Sequence, residues 1–311
     1  MTDCEKPKVV VISGPTASGK TSLGIRLALA LEGEIINADS MQVYRWMDVG
    51  TAKPTLWERK GVPHYLLDVV DPDEEFNAAI FRSIALPRVE DIVFRGKTCF
   101  VVGGTGLYMK SLLGGLLSCP PSDAELRQDL LRECRALGSV TLHERLERLD
   151  PDSAHKIHPN DRMRVVRALE IIRLTGRLPS ELRREHDFKD SPVDALFLCL
   201  KVDRKDLYDG IEVRSKAMME RGLAEETERL LEMGYSPDLK PMNSIGYRHM
   251  IKHLKGVWSF DEAFDNLLKD TRRYAKRQMT WFRADRDVTW IEPGAFHQVL
   301  ARVKHFMAGT T

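Results

Sequence analysis

Cysteine is scarce in this chain and carries no pattern. The five cysteines, at 4, 99, 119, 134 and 199, form no C-x-x-C pair and are odd in number. That argues against a zinc site and fits free thiols in a reduced, cytoplasmic setting. Long apolar runs are missing as well: none approaches the roughly 20 residues that span a bilayer, so no membrane partner is expected. The opening MTDCEKPK is polar and leads straight into a strand pattern, so no secretory signal is expected. There is no internal repeat and no low-complexity tract. Neither sign of charge is in excess. A net charge of +1 does not advertise a nucleic-acid partner, although a local basic patch can bind one while acids elsewhere cancel the total. What remains is 311 residues, 43% hydrophobic and 30% charged. That composition suits a soluble globular protein of one large domain or two smaller ones.

The most informative stretch is VVVIS (9–13) followed by GPTASGKT (14–21). The first five residues, mostly β-branched, form a buried-strand pattern. Gly14, Gly19, Lys20 and Thr21 fit G-x-x-x-x-G-K-[ST], and Leu23, Leu27 and Leu31 then recur on one helical face. Strand, glycine loop and helix in that order are the context of a phosphate loop. Glycines let backbone N–H groups turn inward around an anion, and the helix N-terminus adds partial positive charge. Lys20 is expected to reach the outer phosphate oxygens and the Thr21 hydroxyl to sit on Mg²⁺. Such a cradle says what is held; the rest of the chain must say what is done with it.

Further strands are expected at 34–38, 65–69, 98–102, 195–202 and 288–291. A helix over 74–96 should have Phe76, Ile80 and Ile84 on one face and be kinked or split by Pro87. Alternating strands and helices argue for a parallel α/β sheet. From 122 to about 190 the pattern is helical, opened by a Ser122/Glu125 capping box. The expected organisation is therefore an α/β core from 1–122 and 192–311 with an all-helical insertion over 123–191. Helices near 206–233 and 259–284 complete the core.

Asp39 falls at the carboxyl end of the second strand, where ligands bind in open α/β sheets. A carboxylate there can take a proton or orient an attacking group, though a turn aspartate would look the same. Gly103-Gly104-Thr105-Gly106 occupies the matching place on another strand. Arg162 to Arg184 reads as a helix with seven arginines, and TRRYAKRQMTWFRADR (271–286) interleaves six more basic residues with Tyr274, Trp281 and Phe282. Basic groups with aromatics suit phosphate contacts and base stacking. For either segment taken alone a solvated helix face is the favoured account; two of them beside a phosphate loop point toward a polyanionic partner.

Taken together, GPTASGKT (14–21), NADSMQVYRWMDVGTAKP (37–54), PHYLLDVVDP (63–72), VVGGTGLY (101–108), IHPNDRMRVVRALEI (157–171), VRSKAMMERGLAEE (213–226), IGYRHM (245–250) and YAKRQMTWFR (274–283) resemble the bacterial tRNA dimethylallyltransferases. The resemblance covers nearly the whole chain. It implies a P-loop NTPase-like parallel sheet core, and transfer of a dimethylallyl group from its diphosphate to the exocyclic amine of the tRNA adenosine just 3′ of the anticodon. By that resemblance Gly14, Pro15, Thr16, Ala17, Ser18, Gly19, Lys20 and Thr21 hold the diphosphate with Mg²⁺, and Arg214 is a second clamp on it. Asp39 meets the adenine amine. Ser40, Met41 and Gln42 line the way in for tRNA, and Thr105 is a tRNA contact. The insertion would grip the anticodon stem-loop through Arg127 and the run Met163, Arg164, Val165, Val166 and Arg167. No cysteine follows Cys199, so the zinc finger that eukaryotic relatives often carry is not expected. The main rival is a small-molecule or nucleotide kinase, which would share the loop and the carboxylate; a third reading is an RNA-binding ATPase switch. Nothing in the sequence requires more than a monomer.

Overall fold

A computed structural model of the chain describes residues 6–116, 119–120, 123–186 and 191–309. The chain divides into two compact units, Met1–Leu113 with Pro192–Thr311, and Gly114–Ser191. In order, the first unit contributes β1 (Lys8–Ser13), α1 (Lys20–Ala30), β2 (Glu34–Asn37), α2 (Leu56–Arg59), β3 (His64–Tyr65), α3 (Ala78–Phe94), β4 (Cys99–Val102) and α4 (Gly106–Gly114). The second unit holds α5 (Ala124–Leu137), α6 (Ser139–Leu149), α7 (Pro151–Lys156), α8 (Arg162–Thr175) and α9 (Pro179–His186). The chain then returns to the first unit with β5 (Asp194–Leu200), α10 (Arg204–Glu220), α11 (Leu223–Glu232), α12 (Tyr247–Leu254), α13 (Phe260–Arg283), β6 (Thr289–Ile291) and α14 (Phe296–Ala308).

Six parallel strands lie in the order β3-β2-β4-β1-β5-β6. Val9–Ile12 of β1 are in register with Cys99–Val102 on one side and Ala195–Leu198 on the other. A central parallel strand is covered on both faces, which is why β1 is continuously apolar instead of alternating. Val10 and Ile12 pack with Leu27 of α1, Phe100, Leu198 and Val303, and Leu23 and Leu31 close the edge of that cluster. The loops after β1, β2 and β4 therefore leave the sheet at the same, carboxyl end.

Three local expectations change. The strand expected at 65–69 ends at Tyr65, because Leu66 and Asp68 take left-handed φ values of 62° and 55°. Asn37 Nδ2 donates to the Leu66 carbonyl at 3.1 Å and holds that turn. Helix α3 begins only at Ala78, capped by the Asn77 side chain, and runs through Pro87 unbroken. Pro87 and Ser83 are both exposed, so the carbonyl that Pro87 leaves without a helix donor faces water. The buried face is Phe81, Ala85, Val89 and Ile92; Phe76 precedes the helix and Ile84 is exposed. Finally, the arginine-rich stretch 162–184 is two helices, the first ending where a helix over 161–175 is expected to stop, at Gly176. Gly176 closes α8 in a left-handed conformation and Pro179 opens α9.

The helical unit begins at Gly114, earlier than the expected 123, because α4 carries the chain out of the sheet. Ser122 lies outside the described residues; the N-cap of α5 is Asp123, which accepts from Leu126 N at 2.9 Å. Leu130, Cys134, Leu142, Leu146, Val165, Val166 and Leu169 form the core of this unit. Among the described residues no helix is long and apolar enough to cross a membrane.

Candidate active site

A cavity of about 310 Å³ opens at the carboxyl end of the sheet, lined entirely by residues of the first unit. Its floor is the loop between β1 and α1. Gly14 and Gly19 carry positive φ there, and Ala17 adopts a left-handed φ of 63°. Successive N–H groups of such a loop converge on one point. The Ser18 hydroxyl is buried in this loop without a hydrogen-bond partner. A buried polar atom left without a partner is costly, so a ligand that accepts a hydrogen bond there relieves it.

Lys20 and Arg214 both line the cavity and are both partly buried. Burial lowers the Lys20 pKa to about 8, and the Arg214 guanidinium pushes it the same way, while Asp39 opposes them. Burial likewise lowers Arg214, against the pull of Asp39 and Tyr274. Two cations held together out of water call for an anion between them. Lys20 Nζ meanwhile donates to the Pro15 carbonyl at 3.4 Å, folded back over its own loop. Thr21 lines the same cavity. Among the described residues no group of three His, Cys, Asp or Glu side chains could hold a metal ion.

Asp39, Ser40, Met41 and Gln42 form the next wall. Asp39 Oδ1 accepts from Met41 N at 2.8 Å and Gln42 N at 3.4 Å, so the carboxylate closes its own turn while lining the cavity. Gln42 Nε2 donates to the carbonyls of Thr51 and Ala52, both at 3.1 Å. The Thr105 hydroxyl accepts from Ser40 N at 3.0 Å, which fixes Thr105 beside the Asp39 turn. Gly103 is needed for close approach: a Cβ there would come within 2.2 Å of the Ala38 carbonyl.

Several residues of the site escaped the sequence patterns. Glu226 is buried and accepts from the N–H groups of Asp48, Val49 and Gly50 and from the Tyr247 hydroxyl. It shapes the loop that carries Gly50, Thr51 and Ala52 to the cavity. Lys53, also buried, donates to the Tyr44 carbonyl and pairs with Asp48 and Asp68. Leu267, Thr271, Tyr274 and Gln278 of α13 line the cavity at alternating spacings of four and three, one helical face. That spacing was readable in the sequence and would have separated Tyr274 from the basic residues around it. Phe282, by contrast, is core, edge-on to Phe197.

In the helical unit the candidate partner contacts divide. Met163 and Arg164 are exposed, Arg164 pairing with Asp161 at 3.3 Å. Val165 and Val166 are in the core, so their side chains pack the helix and offer no surface to a partner; the expectation that they contact RNA is corrected. Arg127 and Arg167 both pair with the buried Glu170 at 2.8 Å, and Arg167 also donates to the Pro120 carbonyl. A cluster lined by Ser139, His158, Asn160, Asp161, Arg162 and Met163 lies beside the exposed end of α8.

Comparison with known proteins bears on this site. A family model described as IPP transferase matches residues 42–285, and one described as isopentenyl transferase matches residues 7–73. A protein of Geotalea uraniireducens named tRNA dimethylallyltransferase 2 is 50% identical over 305 residues, covering 98% of each chain. The crystal structure of the full-length tRNA isopentenylpyrophosphate transferase from Bacillus halodurans is 41% identical, covers 98% of this chain and 96% of its own, and superposes with a TM-score of 0.72. A eukaryotic dimethylallyltransferase caught acting on tRNA is 32% identical, covers 98% of this chain and 80% of its own, and has a TM-score of 0.84.

Proposed function

Since the chain belongs to the IPP transferase family, we infer that it transfers a dimethylallyl group from dimethylallyl diphosphate to the exocyclic amine of adenosine-37 in tRNA, giving isopentenyladenosine. The observation that carries this reading is the pairing of Lys20 and Arg214 across one cavity with Asp39. The two cations suit a diphosphate, and the carboxylate suits the group that attacks.

The chemistry follows from the charges. Breaking the allylic C–O bond spreads positive charge over the allyl unit and leaves negative charge on the diphosphate. Backbone N–H groups of residues 14–21, Lys20 and Arg214 stabilise that leaving charge as it forms. The Ser18 hydroxyl and the loop N–H groups fit an anion. The residues present fit Mg²⁺ bound along with the diphosphate: the Thr21 hydroxyl would supply one hard oxygen to it. Bound there, Mg²⁺ would add charge stabilisation to the leaving group. An adenine amine is a weak nucleophile; Asp39 aligns it and takes its proton as the new C–N bond forms. The base must leave its stack to reach a cavity, which costs least from a loop. Ser40, Met41 and Gln42 then guide it, while Met163 and Arg164 of the helical unit bind the stem-loop backbone.

The deciding experiment supplies purified protein with Mg²⁺, labelled dimethylallyl diphosphate and unmodified tRNA, with no nucleoside triphosphate. Label in the adenosine 3′ of the anticodon supports the reading. Transfer of a terminal phosphate from added ATP, with no prenylated nucleoside, would return the site to the kinase alternative.

A further inference from the structure

Gln278 is buried on the cavity face of α13, and both ends of its amide are engaged. Its Oε1 accepts from Thr16 N in the phosphate loop at 2.8 Å, and its Nε2 donates to the Gly104 carbonyl at 2.9 Å. The partners belong to different turns at the sheet end, one after β1 and one after β4. Gly104 leaves room for this contact, since a Cβ there would lie 2.4 Å from Nε2. The next residue, Thr105, donates its N–H to the Ala38 carbonyl at 3.2 Å and accepts from Ser40 N through its hydroxyl at 3.0 Å. Ala38 and Ser40 flank Asp39. A continuous path of short contacts therefore runs from Thr16 through Gln278, Gly104 and Thr105 to the Asp39 turn.

We propose that Gln278 is a positioning residue for prenyl transfer: it braces the diphosphate cradle against the turn that sets Asp39, fixing the distance between the two halves of the reaction. The brace rests on the prenyl-transfer reading above. It has a physical requirement that few side chains meet. One planar group must accept from an N–H on one side and donate to a carbonyl on the other, and a carboxamide of this length does both without depending on its protonation state. Gln278→Glu keeps the acceptor for Thr16 but sets a carboxylate oxygen against the Gly104 carbonyl. Gln278→Met keeps the bulk and loses both bonds. Transfer is sensitive to such changes because small misplacement of reacting groups is magnified in rate. Gln278 touches neither reacting atom in this account; it acts through Thr16 and Thr105.

The test uses full-length protein, tRNA, Mg²⁺ and dimethylallyl diphosphate, with wild type run beside each variant. Wild-type transfer secures the underlying reading; its absence would sink that reading and leave the brace unaddressed only in name, since the brace is defined for that reaction and falls with it. With wild type active, both Gln278 variants should lower the single-turnover rate at saturating substrates by about 10-fold or more. Equilibrium tRNA affinity should stay within about 2-fold. Gln278→Met combined with Thr105→Val should be no slower than the worse single variant, because one path is broken once. Gly104→Ala, which leaves the α13 sequence unaltered and crowds Gln278 Nε2 from the turn after β4, should reproduce the rate loss even where Gln278→Met fails to fold. Wild-type rates in Gln278→Glu and Gly104→Ala would overturn the proposal. So would a loss confined to tRNA affinity, which would make Gln278 an RNA contact, or rate losses that multiply in the double variant.

Discussion

Lys20 makes donor binding dependent on pH in a window where few neighbours titrate. Burial and the Arg214 charge hold its pKa at about 8 in the ligand-free protein, below the usual 10.5. A diphosphate between Lys20 and Arg214 favours the protonated amine, so binding draws on the protonated fraction. Apparent Kd then rises by the factor 1 + 10^(pH − pKa). That is about 1.1 at pH 7, about 2 at pH 8 and about 11 at pH 9. The direction is fixed by the sign of the shift: affinity is full below the ligand-free pKa and falls as pH rises through it. Competing explanations are few. Cys199, beside Lys20, is pushed up by burial to about 12. Tyr274 is pushed above its usual range by burial and by Asp39. Arg214 stays charged throughout, and dimethylallyl diphosphate, a monoester, has lost its last phosphate proton above about pH 7. Calorimetric titration of dimethylallyl diphosphate, without tRNA and with Mg²⁺ held constant, from pH 7 to 9.5, reads the effect directly. Repeating it in buffers of different ionisation heat should show proton uptake approaching one near pH 9. Lys20→Met should bind weakly and lose most of the pH slope. An affinity that stays flat from pH 7.5 to 9.5 in the unaltered protein would refute the placement of Lys20 at the anion.

Three other outcomes are expected. Asp39→Asn keeps an oxygen for Met41 N but cannot take a proton, so turnover should fall about 10²-fold or more with the melting curve unchanged; near-wild-type turnover would remove Asp39 from proton transfer. Glu226→Ala leaves three N–H groups and the Tyr247 hydroxyl without their acceptor, which should cost at least about 3 kcal/mol in urea unfolding; a loss under about 1 kcal/mol would mean that the loop re-pairs with water. Arg164→Ala should lower the slope of log affinity for tRNA against log salt by about one; an unchanged slope would make Arg164 a solvated surface residue tied to Asp161.

What the sequence revealed was mostly local chemistry. The phosphate loop is legible because its glycines, lysine and threonine are contiguous and their flanks have clear periods. Asp39 is legible because a carboxylate at a strand end is a positional fact. The strand at 65–69 failed for an equally local reason, but a hidden one: no residue type announces that Leu66 and Asp68 will take left-handed φ. Pro87 misled because its cost depends on whether the carbonyl one turn back meets water, which only the fold decides. The run Met163 to Arg167 was transferred as one stretch, yet helical geometry sends Val165 and Val166 inward and leaves Met163 and Arg164 outside. Glu226 and Gln278 were beyond reach. Each joins segments more than 170 residues apart; helical spacing puts Gln278 on the cavity face but does not name the partners it joins.

Helix α13 shows how one segment serves two chemistries. As a sequence, 271–286 mixes charge and aromatic residues and suggests a single basic surface. Folded, its 3.6-residue period sorts them. Leu267, Thr271, Tyr274 and Gln278 form a cavity wall, while Arg273, Lys276 and Arg277 are exposed. Arg273 is tied to Asp270 at 3.2 Å, and Arg277 lies over the Tyr274 ring at 5.7 Å. The exposed basic residues are thus attached to the very helix that holds the cradle through Gln278. A polyanion gripping the outer face and a diphosphate held at the inner one would load the same rigid rod from opposite sides. Neutralising Lys276 should then weaken tRNA binding without touching the pH profile of donor binding, whereas breaking the inner contacts should slow transfer without changing the salt slope. That separation follows from helical geometry alone: positions 276 and 278 point about 160° apart.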